Sequence, residues 1–197
     1  MDKKVYLVHC WEGTSNDGWY PWIDKELEKY GVSVFRFDMP NTESPSIEEW
    51  VSFLEGKVDF LDENTFFIGH SIGCQTIMRY LETQSIDKIG GILFVAPWLD
   101  LLPEAIEDKE SYDIAYPWIH NPIHFEKIKS LTDNIKCIFS DDDYFVSLNQ
   151  EQLFKDKLGA NTIVVKGKGH ISQEDNVFDL PEILDFSKKM LGLDDNI

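Results

Sequence analysis

Six short runs of this chain are almost wholly apolar: Val5-Tyr6-Leu7-Val8, Ser33-Val34-Phe35-Arg36-Phe37, Thr65-Phe66-Phe67-Ile68, Gly91-Ile92-Leu93-Phe94-Val95, Lys136-Cys137-Ile138-Phe139 and Thr162-Ile163-Val164-Val165. A strand with one wet face alternates apolar and polar residues. Runs that do not alternate belong to strands covered on both faces, as in parallel sheets. Between them lie stretches with helical spacing: Trp19 to Tyr30, Ser46 to about Phe60, Ile72 to Thr83, Ile123 to Leu131, Leu148 to Leu158 and Pro181 to Leu191. Gly31 offers a helix stop, Ser46-Ile47-Glu48-Glu49 a capping box, and Pro181 a first-turn proline. Strand–helix alternation predicts a three-layer α/β sandwich, with a mostly parallel sheet of about six strands and right-handed crossovers.

The length, 197 residues, suits a single domain spanning 1–197, with no repeat, linker or large lid domain in the sequence. The Ala96 to Asn121 stretch breaks the rhythm with three prolines, Trp98, Trp118, Tyr112 and Tyr116. It reads as an irregular, aromatic-rich connection, suited either to a binding loop or cap or to packing down on the domain.

Charge narrows the function. Eighteen basic against 36 acidic residues give a net charge of −18, which repels phosphate backbones and anionic lipid. Neither a nucleic-acid nor a membrane role is expected. No apolar run approaches the roughly 20 residues that span a bilayer, and the start has no secretory signature. Three scattered cysteines, Cys10, Cys74 and Cys137, make no disulfide framework, so a cytoplasmic protein is expected.

The segment Gly69-His70-Ser71-Ile72-Gly73 matches Gly-x-Ser-x-Gly between a strand and a helix. In that context the motif builds a sharp turn that lifts a serine hydroxyl above the sheet at a helix N-terminus. Ser71 is the candidate nucleophile, and the Ile72 N–H a candidate oxyanion donor. A hydroxyl needs a base, and this architecture orders its partners Ser, acid, His, each after a later strand. Ser140-Asp141-Asp142-Asp143 follows the fifth run and Gly167-Lys168-Gly169-His170 the sixth, which makes His170 the candidate base. His9 and His70 fit strand-end packing or pocket lining. His120 and His124 have a zinc-compatible spacing, but Pro122 interrupts the helix it needs, so neither metal nor cofactor is expected. Residue types alone leave the three aspartates open.

At these residues the chain resembles the small serine hydrolases of the α/β-hydrolase superfamily, in particular the group of retinoblastoma-binding protein 9 and YdeN. The resemblance spans nearly the whole chain. It includes Gly18-Trp19-Tyr20-Pro21-Trp22, Asp38-Met39-Pro40, Gly69-His70-Ser71, Met78-Arg79-Tyr80, Asp142-Asp143-Tyr144-Phe145 and Gly169-His170. It implies that the acid is the second residue of the Asp-Asp pair, Asp143, with Asp142 second choice, and that Val146 completes the pattern. The chain departs from the group at His9-Cys10-Trp11, where His-Gly or Pro-Gly is usual, and Trp11 N–H becomes the second oxyanion candidate. Ser147 stands where many relatives carry proline. The Leu-x-Cys-x-Glu motif for retinoblastoma-protein binding is absent, so no protein partner is carried over.

The resulting expectation is a metal-independent serine hydrolase acting on a small-molecule acyl substrate, an ester with amides and thioesters left open, through an acyl-enzyme. Trp11, Trp98, Trp118, Tyr116 and Phe125 are candidates for an apolar substrate pocket, each with core packing as its alternative. The alternative function is a catalytically idle hydrolase fold that binds a ligand or protein. A third reading keeps the triad but performs acyl transfer or haloperoxidase-like chemistry.

Overall fold

The computed structural model describes residues 2–193. Its elements run β1 (Lys4–Val8), α1 (Tyr20–Glu28), β2 (Ser33–Arg36), α2 (Ile47–Lys57), β3 (Thr65–His70), α3 (Ile72–Thr83), β4 (Gly91–Val95), α4 (Lys109–His120), α5 (Phe125–Leu131), β5 (Ile135–Ser140), α6 (Gln150–Leu158), β6 (Asn161–Val165) and α7 (Pro181–Leu191). All strand pairs are parallel and the sheet order is β2-β1-β3-β4-β5-β6.

The apolar runs of the four inner strands, β1, β3, β4 and β5, do not alternate because each of these strands feeds two cores, whereas the edge strands β2 and β6 leave Phe35 and Val164 exposed. Tyr6, Val8, Phe67, Ile92, Phe94, Cys137 and Phe139 face one side, where α2, α3, α5 and α6 bring Trp50, Leu54, Ile77, Ile128 and Phe154. Val5, Leu7, Phe66, Ile68, Leu93, Val95 and Ile138 face the other, against Ile23 and Leu27 of α1 and Ile183 and Phe186 of α7. Neighbours in sequence thus enter opposite cores, the period of two expected of a pleated strand. Full burial of each such side chain is worth about 1.5–3 kcal/mol.

The 96–121 connection differs from expectation. It contains a 3₁₀ turn at Pro103–Ile106 and then α4, a twelve-residue helix. Asp108 caps it by accepting from Ser111 N–H at 2.9 Å. Pro117 inside the helix and the lack of a continuous apolar stripe hid it: only Ala115 and Trp118 are buried, while Tyr112 and Tyr116 are about half exposed. The readable signal was Asp108 followed by Glu110, an acceptor and a negative charge at a helix start.

The chain leaves β1 for β2 at one edge and returns to β3 on the other flank of β1, so the loops after β1 and β3 diverge from adjacent strand ends. Ligand sites of open α/β sheets form at such switch points. Here α3 packs close to β1: a Cβ on Gly73 would sit 2.4 Å from the Val8 carbonyl oxygen and 2.6 Å from that of His9. Since β1 is bonded on both flanks, it has little freedom to retreat. Gly73→Ala is therefore expected to lower stability by about 1–3 kcal/mol in urea denaturation, and an unchanged midpoint would show that the contact gives freely.

Candidate active site

Ser71 follows β3 and precedes α3 with φ 53° and ψ −122°, a conformation strained for a residue with a Cβ. Its N–H donates to Val95 O at 2.9 Å, which ties the turn to the end of β4. Ser71 Oγ lies 2.8 Å from His170 Nε2, and His170 Nδ1 lies 2.8 Å from Asp143 Oδ2. The His170 and Asp143 side chains are only 6% and 3% exposed, so water does not screen the pair.

The three consecutive aspartates hold different groups. Asp141 accepts from Gly167 N–H at 2.9 Å. Asp142 accepts from the Ser140 hydroxyl at 2.7 Å and Gly169 N–H at 2.9 Å. The Ser140 hydroxyl and then Gly169 N–H hold its carboxyl below the usual range. Asp143 alone reaches His170, while its other oxygen accepts from Phe145 and Val146 N–H at 2.8 and 3.0 Å. Two aspartates thus fasten the loop that carries the histidine, and the third touches its ring.

The sequence reading missed several residues that hold this arrangement. Asp175 Oδ2 accepts from His170 N–H, Ser172 N–H and the Ser172 hydroxyl at 2.9, 3.1 and 2.8 Å. Trp19 Nε1–H donates to Ile171 O at 3.0 Å, supporting a β-branched residue at φ 58°. Asp175 belongs to no motif, and Trp19 reads simply as part of a helix stripe. Gln75 Nε2 donates to Trp98 O, and the buried Arg79 guanidinium donates to Gln75, Trp118 O and Asn121 O, which anchors the end of α4.

A cavity of about 300 Å³ opens over Ser71 and His170. Of the expected pocket residues, Trp11 and Trp98 line it. Trp98 is buried and its Nε1–H donates to Ser71 Oγ at 3.3 Å. The other three lie elsewhere. Trp118 is in the core, edge-on to Trp50 and donating to Pro45 O. Tyr116 is 46% exposed and stacks on His120, and Phe125 borders a separate shallow groove. For Tyr116 and Trp118 the reason is helical, since α4 turns them to different sides, while Phe125 opens α5. Phe145, Tyr144 and Leu101 take the wall positions instead, Phe145 edge-on to the His170 ring at 5.0 Å.

Among the described residues, no protein acceptor engages the N–H of Ile72 or Trp11, whereas Cys10 N–H donates to Tyr20 Oη at 3.3 Å. His9 pins the same loop: Nδ1–H donates to Cys10 O at 2.7 Å and Nε2 accepts from Met39 N–H at 2.9 Å. The positive φ of this loop falls at Glu12, so Cys10 carries no glycine-like strain. Burial pushes the Cys10 thiol up to about 11, leaving it protonated and a poor nucleophile at neutral pH.

Burial, and then the neighbouring His170, lower His70 to about 3. The unfolded ring titrates near 6.5, so between these values the unfolded chain binds more protons. The resulting stability is complete above pH ~6.5 and is lost as pH falls toward 3. His70 is expected to account for about 2 kcal/mol of the loss between pH 6.5 and 5. Urea denaturation across that window should show a shallower pH slope in His70→Gln than in the wild type, and parallel slopes would contradict this.

Comparison with known proteins gives a consistent result. The chain is 28% identical over 186 residues to "Putative hydrolase YdeN" of Bacillus subtilis (strain 168), covering 94% of each chain. The crystal structure of that ydeN gene product superposes with a TM-score of 0.88 over 96% of this chain and 99% of the other, at 27% identity. "Serine hydrolase RBBP9" of Rattus norvegicus is 30% identical over 154 residues, 78% of this chain and 77% of the relative. A structure from work on carboxylesterases of the thaumarchaeon Nitrososphaera gargenis shares the fold, with a TM-score of 0.69 at 14% identity over 98% and 90% of the two chains. No helix among the described residues is long and apolar enough to cross a membrane. The family described as serine hydrolase matches residues 5–188, and this α/β-hydrolase-like chain belongs to it, an enzyme with hydrolase activity.

Proposed function

We propose that this enzyme cleaves small carboxylic esters by covalent catalysis through Ser71. The reading rests above all on the unbroken series of contacts from Ser71 Oγ through His170 to Asp143. His170 Nε2 takes the hydroxyl proton as Ser71 Oγ attacks the carbonyl carbon. Asp143 keeps the other ring proton on Nδ1 and stabilises the imidazolium that forms. The Ile72 N–H, at the positive end of α3, and the Trp11 N–H receive the oxyanion. His170 returns the proton to the departing alcohol, and water then releases the acyl group by the same steps. The fold shared with a carboxylesterase supports an ester as the bond attacked.

The cavity supports a further restriction. Its volume of about 300 Å³ is at the lower end for small-molecule sites, which favours short to medium acyl groups. Glu12, Asp17 and Glu174 line it and no lysine or arginine does. Among the described residues none of these carboxylates has an ion-pair partner. A substrate with its own carboxylate meets like charge.

Ser71→Ala is expected to lower kcat/KM for 4-nitrophenyl butyrate by at least about 10⁴ and to abolish fluorophosphonate labelling. Asp143→Asn should cost about 10³–10⁴, and Asp142→Asn, which only loosens the loop, much less. Labelling that persists in Ser71→Ala would point to another nucleophile. The anionic half-ester of 4-nitrophenol and succinic acid should react more slowly than the neutral butyrate, by a margin that narrows as salt is raised. Equal or faster reaction of the half-ester would remove the charge argument.

A further inference from the structure

Tyr20 and His70 do not take part in the chemistry just described, yet both are buried beside it, 2% and 1% exposed. They form the middle of a hydrogen-bonded series with backbone groups at each end: Cys10 N–H to Tyr20 Oη at 3.3 Å, Tyr20 Oη to His70 Nδ1 at 2.6 Å, and His70 Nε2 to His170 O at 2.9 Å. The polarity of the ends dictates the whole. A backbone N–H only donates, so Tyr20 Oη is the acceptor from Cys10 and its own proton is free for His70. A backbone carbonyl only accepts, so His70 Nε2 must carry the imidazole proton. Nδ1 is then bare and accepts from Tyr20. Every proton therefore points one way, from the loop after β1 toward the loop after β6.

The two ends are significant positions. Cys10 immediately precedes Trp11, whose N–H is assigned to the oxyanion, and His170 is the assigned base. His70 itself is covalently joined to Ser71. One series of bonds thus joins the oxyanion loop, the nucleophile turn and the base loop, three segments far apart in the chain. Its position also settles which N–H is free: Cys10 N–H is consumed by Tyr20, leaving that of Trp11. The His70 and His170 rings pack with centroids 5.4 Å apart, and Trp19 lies edge-on to His70.

We propose that Tyr20 and His70 are positioning residues that set the oxyanion loop and the His170 backbone in register with Ser71 through this one-directional hydrogen-bond series. The proposal relies on the assignment of His170 as base and Trp11 as oxyanion donor. In Tyr20→Phe, Cys10 N–H loses its acceptor and His70 Nδ1 its donor, while the ring volume stays. The cost falls on alignment in the transition state rather than on ground-state binding, and small misplacements of this kind cost up to about 100-fold.

The test measures Tyr20→Phe against the wild type with 4-nitrophenyl butyrate and a fluorophosphonate, at a temperature where both are folded. The expected result is a fall in kcat and in labelling rate of about 10- to 100-fold, with KM within about twofold. His70→Gln, whose amide can donate to His170 O, should retain more activity than His70→Leu. Unchanged kcat in folded Tyr20→Phe, or equal loss in the two His70 variants, would overturn the proposal. Nitrogen-15 NMR of the imidazoles reads the same series without turnover. His70 should be the neutral Nε2–H tautomer, and the His170 ring signals should shift in Tyr20→Phe. An Nδ1–H tautomer, or an unmoved His170, overturns the proposal even where activity is absent. A wild type that neither turns over nor labels refutes the ester-hydrolase reading instead.

Discussion

The turn at Ser71 depends on two neighbours that leave its backbone no cheaper conformation. On one side α3 starts so close to β1 that residue 73 has no space for a side chain. On the other, Ser71 N–H is held by Val95 O at the end of β4. With φ at 53° the residue is pinned between an approaching helix and an adjoining strand, and the hydroxyl is pushed above the carboxyl edge of the sheet. Local strain of about 1–3 kcal/mol is carried by the packing of the two apolar layers. The same geometry leaves Ile72 N–H without a helical partner, as it must at any helix start.

The loop carrying His170 is held by a different device. Besides burying Ile171 and Val177 in the core, it supplies N–H groups to carboxylates: Gly167 to Asp141, Gly169 to Asp142, and His170 with Ser172 to Asp175. These three aspartates and Asp143, which would repel one another in water, are spread around this loop, each compensated by donors. Charge-assisted bonds of this kind are shorter and stronger than neutral ones, which suits a segment whose job is to hold one ring within hydrogen-bond reach of a hydroxyl. Gly169 is required by the same arrangement: a Cβ there would lie 2.0 Å from Asp175 Oδ1.

Much of the fold was legible because it follows from local rules. Apolar runs without alternation gave parallel strands, and all six lie in one parallel sheet. α3 and α7 have the bounds their spacing implied, Ile72–Thr83 and Pro181–Leu191. α4 was not legible, since its stability comes from a cap and from the anchoring of its end by Arg79, not from a continuous apolar stripe. Consequently the aromatics of that stretch could not be sorted into wall and core from the sequence.

The sequence by itself determined that a serine would follow a buried strand at a helix start and that acidic residues and a histidine would follow later strands in order. These are properties of neighbouring residues, read from periodicity and motif. Only the tertiary structure decided which aspartate meets the ring, which tryptophan reaches the hydroxyl, and that Tyr20, His70 and Asp175 hold the loops around them. Those facts depend on distances between residues tens of positions apart, and such distances exist only once two apolar layers have closed on a single sheet.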